Sequence, residues 1–150
     1  MIKSLYNTDV LLELTSRIAV LSPVAERLWG KMNVSQMLAH CNETMDVVMD
    51  QKKVKRVFLG YVLGPFLKRK FFDGSEFSKN SPTAKDFIIV DEREFEKEKQ
   101  LLIRKLSAFS KGGPKNCTKE PHAFFGSLTA EQWSIGMYKH VDHHLRQFGA

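Results

Sequence analysis

The densest chemistry in this chain is carried by five histidines: His40, His122, His140, His143 and His144. Three of them, His140, His143 and His144, fall within a turn and a half of a predicted helix. At about 100° per residue, taking His140 as zero, His144 lies near ~40°, Gln147 near ~−20° and His143 near ~−60°. Trp133, Gly136 and Met137 share that side, so a stripe that should pack inward begins apolar and ends in imidazole. Two histidines at i and i+4 project close enough to share one metal ion, since zinc–nitrogen bonds are about 2.0–2.1 Å. Imidazole also suits nickel, iron and copper, so the pair alone does not select the metal. A third ligand must come from another helix. His40 is the only histidine on the second predicted helix, at the edge of its apolar arc of Met37, Cys41 and Val48.

An isolated His-x3-His pair arises by chance on surface helices. The weight of the metal reading therefore rests on clustering and on His40. His143 is either a neighbour of the ligands or a solvent-facing residue, and periodicity does not exclude it as a ligand. Glu43, one turn after His40, is a candidate to orient a ligand or act as a base, with a solvated carboxylate the plainer reading. Asp142 points away from the stripe and reads as a surface charge. His122, in a loop rich in phenylalanine, is a candidate for a cleft mouth. Trp29 and Trp133 read as core anchors, and Cys41 as a small buried apolar residue.

Helices must place these groups. Leu11, Leu12, Leu14 and Ile18 predict a helix over 8–20. Ser22-Pro23 stops it or opens a short turn, and Gly30 breaks the pattern. Asn33 or Ser35 can cap a helix running to about Asp50. Residues 54–71 read as helical, bent at Gly64-Pro65 where proline removes an amide donor. Asp91 to Phe109 predicts a helix with acidic first turns that suit its dipole. Thr129 with Gln132 forms a capping-box pattern for a last helix to about Phe148. Phe87 to Val90 is the single short β-like run. The expected fold is all-α, a four-helix bundle in one domain over residues 1–150.

Composition sets the outer limits. The 150 residues are 43% hydrophobic and 27% charged, an ordinary globular balance. The net charge is +6, but it is local: Lys52, Lys53, Lys55, Arg56, Lys68, Arg69 and Lys70 lie in 51–72 without an acidic neighbour. Outside them, 16 basic residues face 17 acidic ones, which argues against nucleic acid as a partner. Lys3, Asp9, Glu13 and Arg17 interrupt any signal-peptide core. Val57 to Leu67, with two glycines and a proline, is far short of the ~20 residues that cross a bilayer. Cys41 and Cys117 are expected to be reduced thiols in a cytoplasmic protein. The basic segment flanks Phe58, Tyr61, Leu63, Phe66 and Leu67. These residues read as bundle core or a dimer interface, with contact to an anionic membrane surface the less favoured alternative.

Two blocks of sequence carry a resemblance. Trp29-Gly-Lys-Met-Asn-Val-Ser-Gln-Met-Leu-Ala-His40-Cys resembles the N-terminal signature of a DinB-related bacterial family. His122-Ala-Phe-Phe-Gly126, Leu128-Thr-Ala-Glu-Gln-Trp133 and Tyr138-Lys-His140-Val-Asp-His-His144-Leu-Arg-Gln147-Phe-Gly149 resemble its C-terminal signature. Ala123 stands where that family usually has proline. The resemblance implies an up-and-down four-helix bundle of the DinB/YfiT type and a metal site of His40, His140 and His144. Gln147 matches the glutamine that commonly follows the pair. Relatives in that superfamily include bacillithiol S-transferases, mycothiol-dependent maleylpyruvate isomerase and metal-dependent hydrolases. The implied cofactors are a divalent transition metal, zinc or nickel first, and a low-molecular-weight thiol. A small-molecule substrate and a homodimer are expected with them. Such a metal lowers the pKa of a bound water or thiol, so transferase, hydrolase and non-catalytic metal-binding readings all stay open.

Overall fold

In the computed structural model, which describes residues 2–150 apart from the Lys70 side chain, the chain forms α1 (Thr8–Ala19), α2 (Val34–Val48), α3 (Phe58–Phe71), α4 (Phe95–Gly112) and α5 (Ala130–Gln147). Among the described residues there is no strand, and a lone antiparallel bridge joins His122 to Gly126. The caps explain where the two histidine helices begin. Asn33 Oδ1 accepts from the Gln36 amide at 2.8 Å, and Gln36 Oε1 accepts from the Asn33 amide at 3.1 Å. Thr129 and Gln132 repeat this exchange at 3.1 and 3.0 Å. Each box satisfies two amides that the first turn leaves without helical partners.

Four helices share one apolar core. Leu14 and Ile18 of α1, Leu38 and Met45 of α2, Leu102 and Leu106 of α4 and Leu145 of α5 are all fully shielded from solvent. Each such side chain contributes roughly 1.5–3 kcal/mol relative to exposure. α4 packs against α1 and α2, and α5 packs against the same two helices. A buried polar tie registers α2 on α4: Asn42 donates to the Glu98 carboxylate at 2.8 Å and to the Glu98 carbonyl at 3.0 Å.

α3 lies outside this core. Gly60 and Gly64 are its buried positions, and a Cβ on either would overlap the backbone at Phe124. Its outer face carries Phe58, Val62 and Phe66, with the two phenylalanines 84% and 80% exposed. The expectation that Phe58, Tyr61, Leu63, Phe66 and Leu67 form bundle core therefore fails, because all five are exposed and the helix docks through its glycines. Pro65 sits within α3 without ending it. Residues 54–57 are not helical, since the Val57 amide donates to the Ala123 carbonyl at 3.0 Å. α4 starts four residues later than expected because Glu94 is extended and Arg93 pairs with Asp91 at 2.8 Å. Phe87 ends a 3-10 turn over Lys85–Phe87 and no strand forms there. Both cysteines are buried free thiols. No helix among the described residues is long and apolar enough to cross a membrane.

Candidate metal centre

α2 and α5 face one another where their histidines lie. The ring centroids of His40, His140 and His144 form a near-equilateral triangle of 4.9, 4.8 and 4.7 Å. One nitrogen from each lies within 4.8 Å of the other two. His40 and His144 are buried, and His140 is of intermediate exposure.

Each ring is held at its Nδ1. His40 Nδ1 lies 2.8 Å from the Phe87 carbonyl, which accepts, so that nitrogen carries the proton. His144 Nδ1 lies 2.8 Å from Gln147 Oε1. The amide cannot be reversed, because Gln147 Nε2 donates to the Trp29 carbonyl at 2.7 Å. His140 Nδ1 lies 3.3 Å from Thr44 Oγ1, whose own hydroxyl is spent on the Cys41 carbonyl at 2.8 Å. The three Nε2 lone pairs are thus left to converge, as outer hydrogen bonds arrange around a bound metal.

The Nε2 atoms of His40 and His140 are 2.9 Å apart. Two lone pairs at that distance repel unless a proton or a cation lies between them. Without a cation, one ring must move its proton to Nε2. His140 is that ring, having the longest Nδ1 contact. Metal–nitrogen bonds of about 2.0–2.1 Å place neighbouring donors about 2.9 Å apart at a right angle and about 3.3 Å apart at the tetrahedral angle. The His40–His140 spacing falls at the lower end of that range, and the three donor atoms together lie within 4.8 Å of one another. Three neutral nitrogens without a carboxylate suit a transition metal and not calcium or magnesium. The residues therefore fit a metal of the class the imidazoles imply.

The electrostatics agree with neutral rings. Burial pushes His144 down to about 3, with the neighbouring His40 adding to the shift. Burial also holds His140 well below its usual range, reinforced by His144 and His40. His40 is lowered by burial, against which the Phe87 carbonyl and the Glu43 charge act.

The remaining candidates take different places. Gln147 orients His144 directly. His143 touches His144 ring to ring at 5.3 Å and faces Trp29 at 5.6 Å, in the wall of an adjoining cleft. Glu43 is paired with Lys52 at 2.7 Å and makes no hydrogen bond to a ring of the triad. His122 turns its Nδ1 inward to accept from the Phe124 and Phe125 amides at 3.0 and 3.1 Å, so it shapes its own loop. Asp142 is no isolated surface charge, since it binds Arg17 at 2.6 Å and Arg146 at 3.2 Å. Trp133 is a core residue at 2% exposure, whereas Trp29 is a half-buried cleft wall. Sequence reasoning missed Thr44, which its i+4 spacing from His40 could have flagged. It also missed the Phe87 and Trp29 carbonyls, which no local pattern marks.

No curated protein and no solved structure matches the chain. A family model described as a protein of unknown function, DUF1569, matches residues 2–150, and the chain belongs to that family.

Proposed function

We propose that His40, His140 and His144 hold a divalent transition metal, zinc or nickel, in an enzyme of the DinB/YfiT bundle type. One observation carries the reading: three imidazoles from two helices, each tied at Nδ1, bring one nitrogen apiece within 4.8 Å of one another. The packing of α1, α2, α4 and α5 around one core supports the bundle assignment. Three protein ligands leave positions open, as catalytic sites require. A bound metal would lower the pKa of a thiol or water placed there and so supply a nucleophile near neutral pH.

This chain's residues do the rest. Gln147 holds the His144 ring in one orientation, and the Phe87 carbonyl does the same for His40. The resemblance of the two motif blocks to the DinB-related signatures favours attack by a low-molecular-weight thiol on an electrophile, with hydrolysis as the competing outcome.

Elemental analysis of the purified protein, before and after reconstitution, tests the centre, with His140→Ala and His144→Ala as controls. About one metal per chain, lost in both variants, is expected. Wild-type protein that holds no metal even after reconstitution overturns the reading. Loaded protein assayed with thiols against generic electrophiles, and with esters and amides, then separates transferase from hydrolase. Inactivity across both panels leaves a non-catalytic metal site.

A further inference from the structure

Beside the triad lies an open cleft of about 520 Å³, bounded by α5, the 74–79 loop, Trp29 and Ile2. Its charges are unevenly spent. Arg146 is paired with both carboxylates of the lining, Glu76 and Asp142. Lys3 is paired with Glu13 at 2.5 Å. Lys79 and Lys139 are different. Among the described residues neither forms an ion pair, and each rests on aromatic faces instead. Lys79 Nζ sits 4.6 Å from the Trp29 ring centroid, and Lys139 Nζ sits 4.8 Å from that of Phe77. Lys139 also donates to the Phe71 carbonyl.

A lysine held against ring faces keeps donors for an incoming acceptor. The flanking Trp29 and Ile135 provide apolar surface for the body of such a ligand. His143 closes the cleft on the triad side, in ring contact with His144. A molecule filling the cleft therefore meets His143, whereas His40, His140 and His144 do not themselves line it.

We propose that this cleft binds a small organic anion. Its carboxylate or phosphate lies between Lys79 and Lys139, and its apolar body lies against Trp29 and His143. This binding does not depend on the metal-centre reading above.

Three probes of matched size test the proposal: 3-phenylpropionate, phenyl phosphate and the neutral 3-phenylpropanol. Binding is followed by the indole N–H resonances of isotopically labelled protein, with Trp29 in the cleft and Trp133 in the core as internal reference. The expected result is a Trp29 shift by at least one of the anions, with an affinity at least tenfold above that of the alcohol. Lys79→Gln and Lys139→Gln should each weaken the anion at least threefold, and because Lys79 is exposed the first variant leaves the core untouched. Equal binding of alcohol and anions, or wild-type affinity in both variants, overturns the proposal. The titration is repeated on chelator-treated protein and on His144→Ala. Anion binding that persists there upholds the cleft even where the metal reading fails. Binding that vanishes with the metal and ignores both lysines places the anion on the metal and overturns the cleft assignment.

Discussion

Replacing Gln147 by leucine separates the orientation of the metal site from its ligand count. Gln147 is 3% exposed and spends both ends of its amide, on His144 Nδ1 at 2.8 Å and on the Trp29 carbonyl at 2.7 Å. Leucine fills a similar volume and leaves both partners unpaired. Each orphaned group costs about 1–3 kcal/mol if water does not reach it. The His144 ring, no longer held, must be ordered by the metal itself. Loss of such an outer hydrogen bond lowers metal affinity about 10–100-fold, which is about 1.4–2.8 kcal/mol. Competition with a chromophoric chelator measures this, alongside urea unfolding of the metal-free proteins. Gln147→Glu serves as the discriminating partner. Its carboxylate still accepts from His144 but opposes the Trp29 carbonyl, so metal affinity should hold while stability falls. Metal affinity in Gln147→Leu within about threefold of wild type, with His144→Ala abolishing binding, would refute the role given to this amide.

Gly30 has φ of +81°, and a Cβ there would run into Gln147 Nε2. Gly30→Ala should cost about 1–3 kcal/mol in strain and weaken metal binding in the same chelator competition, and an unchanged melting curve would contradict this. His122 is pushed by burial down to about 4, against 6.5 when unfolded. Its folded pKa is the lower one, so its contribution is complete above about 6.5 and is lost as the pH falls toward 4. The loss is on the order of 3 kcal/mol, because the buried ring resists taking up charge; a protonated Nδ1 would also no longer accept from the Phe124 and Phe125 amides. His122→Asn keeps an acceptor without titrating, so urea midpoints measured between pH 4 and 7 should fall less steeply than in the wild type. Phe58→Ser and Phe66→Ser should each change stability by less than about 0.5 kcal/mol, whereas Leu106→Ala should cost about 2–5 kcal/mol.

The parts of the site that repeat within one helix were legible in the sequence. His140 and His144 share a face because of their spacing, and Asn33 and Thr129 start their helices through side chains three residues away. The location of His40 on an amphipathic helix made it the natural third partner. What local patterns could not supply was tertiary. Phe87 lies 47 positions from the ring it holds, and Trp29 lies 118 positions from the amide it receives. The cleft joins α5 to a loop at 74–79 whose sequence carries no periodicity. α3 misled for a related reason. Its apolar residues follow helical spacing whether they face a core or water, and only the contact of Gly60 and Gly64 with the Phe124 backbone shows which side docks.

The segment around Trp29 is fastened to the end of α5 twice, by the Gln147 amide and by the Leu28 N–H on the Gln147 carbonyl at 2.7 Å. A single residue thus touches a metal-ligand ring on one side and the wall of the cleft on the other. If His144 holds an ion as proposed, a ligand whose affinity depends on the position of Trp29 would be coupled to that ion through this amide. Such linkage is reciprocal: the factor by which the ion changes the ligand's affinity is the factor by which the ligand changes the ion's. Through one glutamine, a measurement at either place reports on the other.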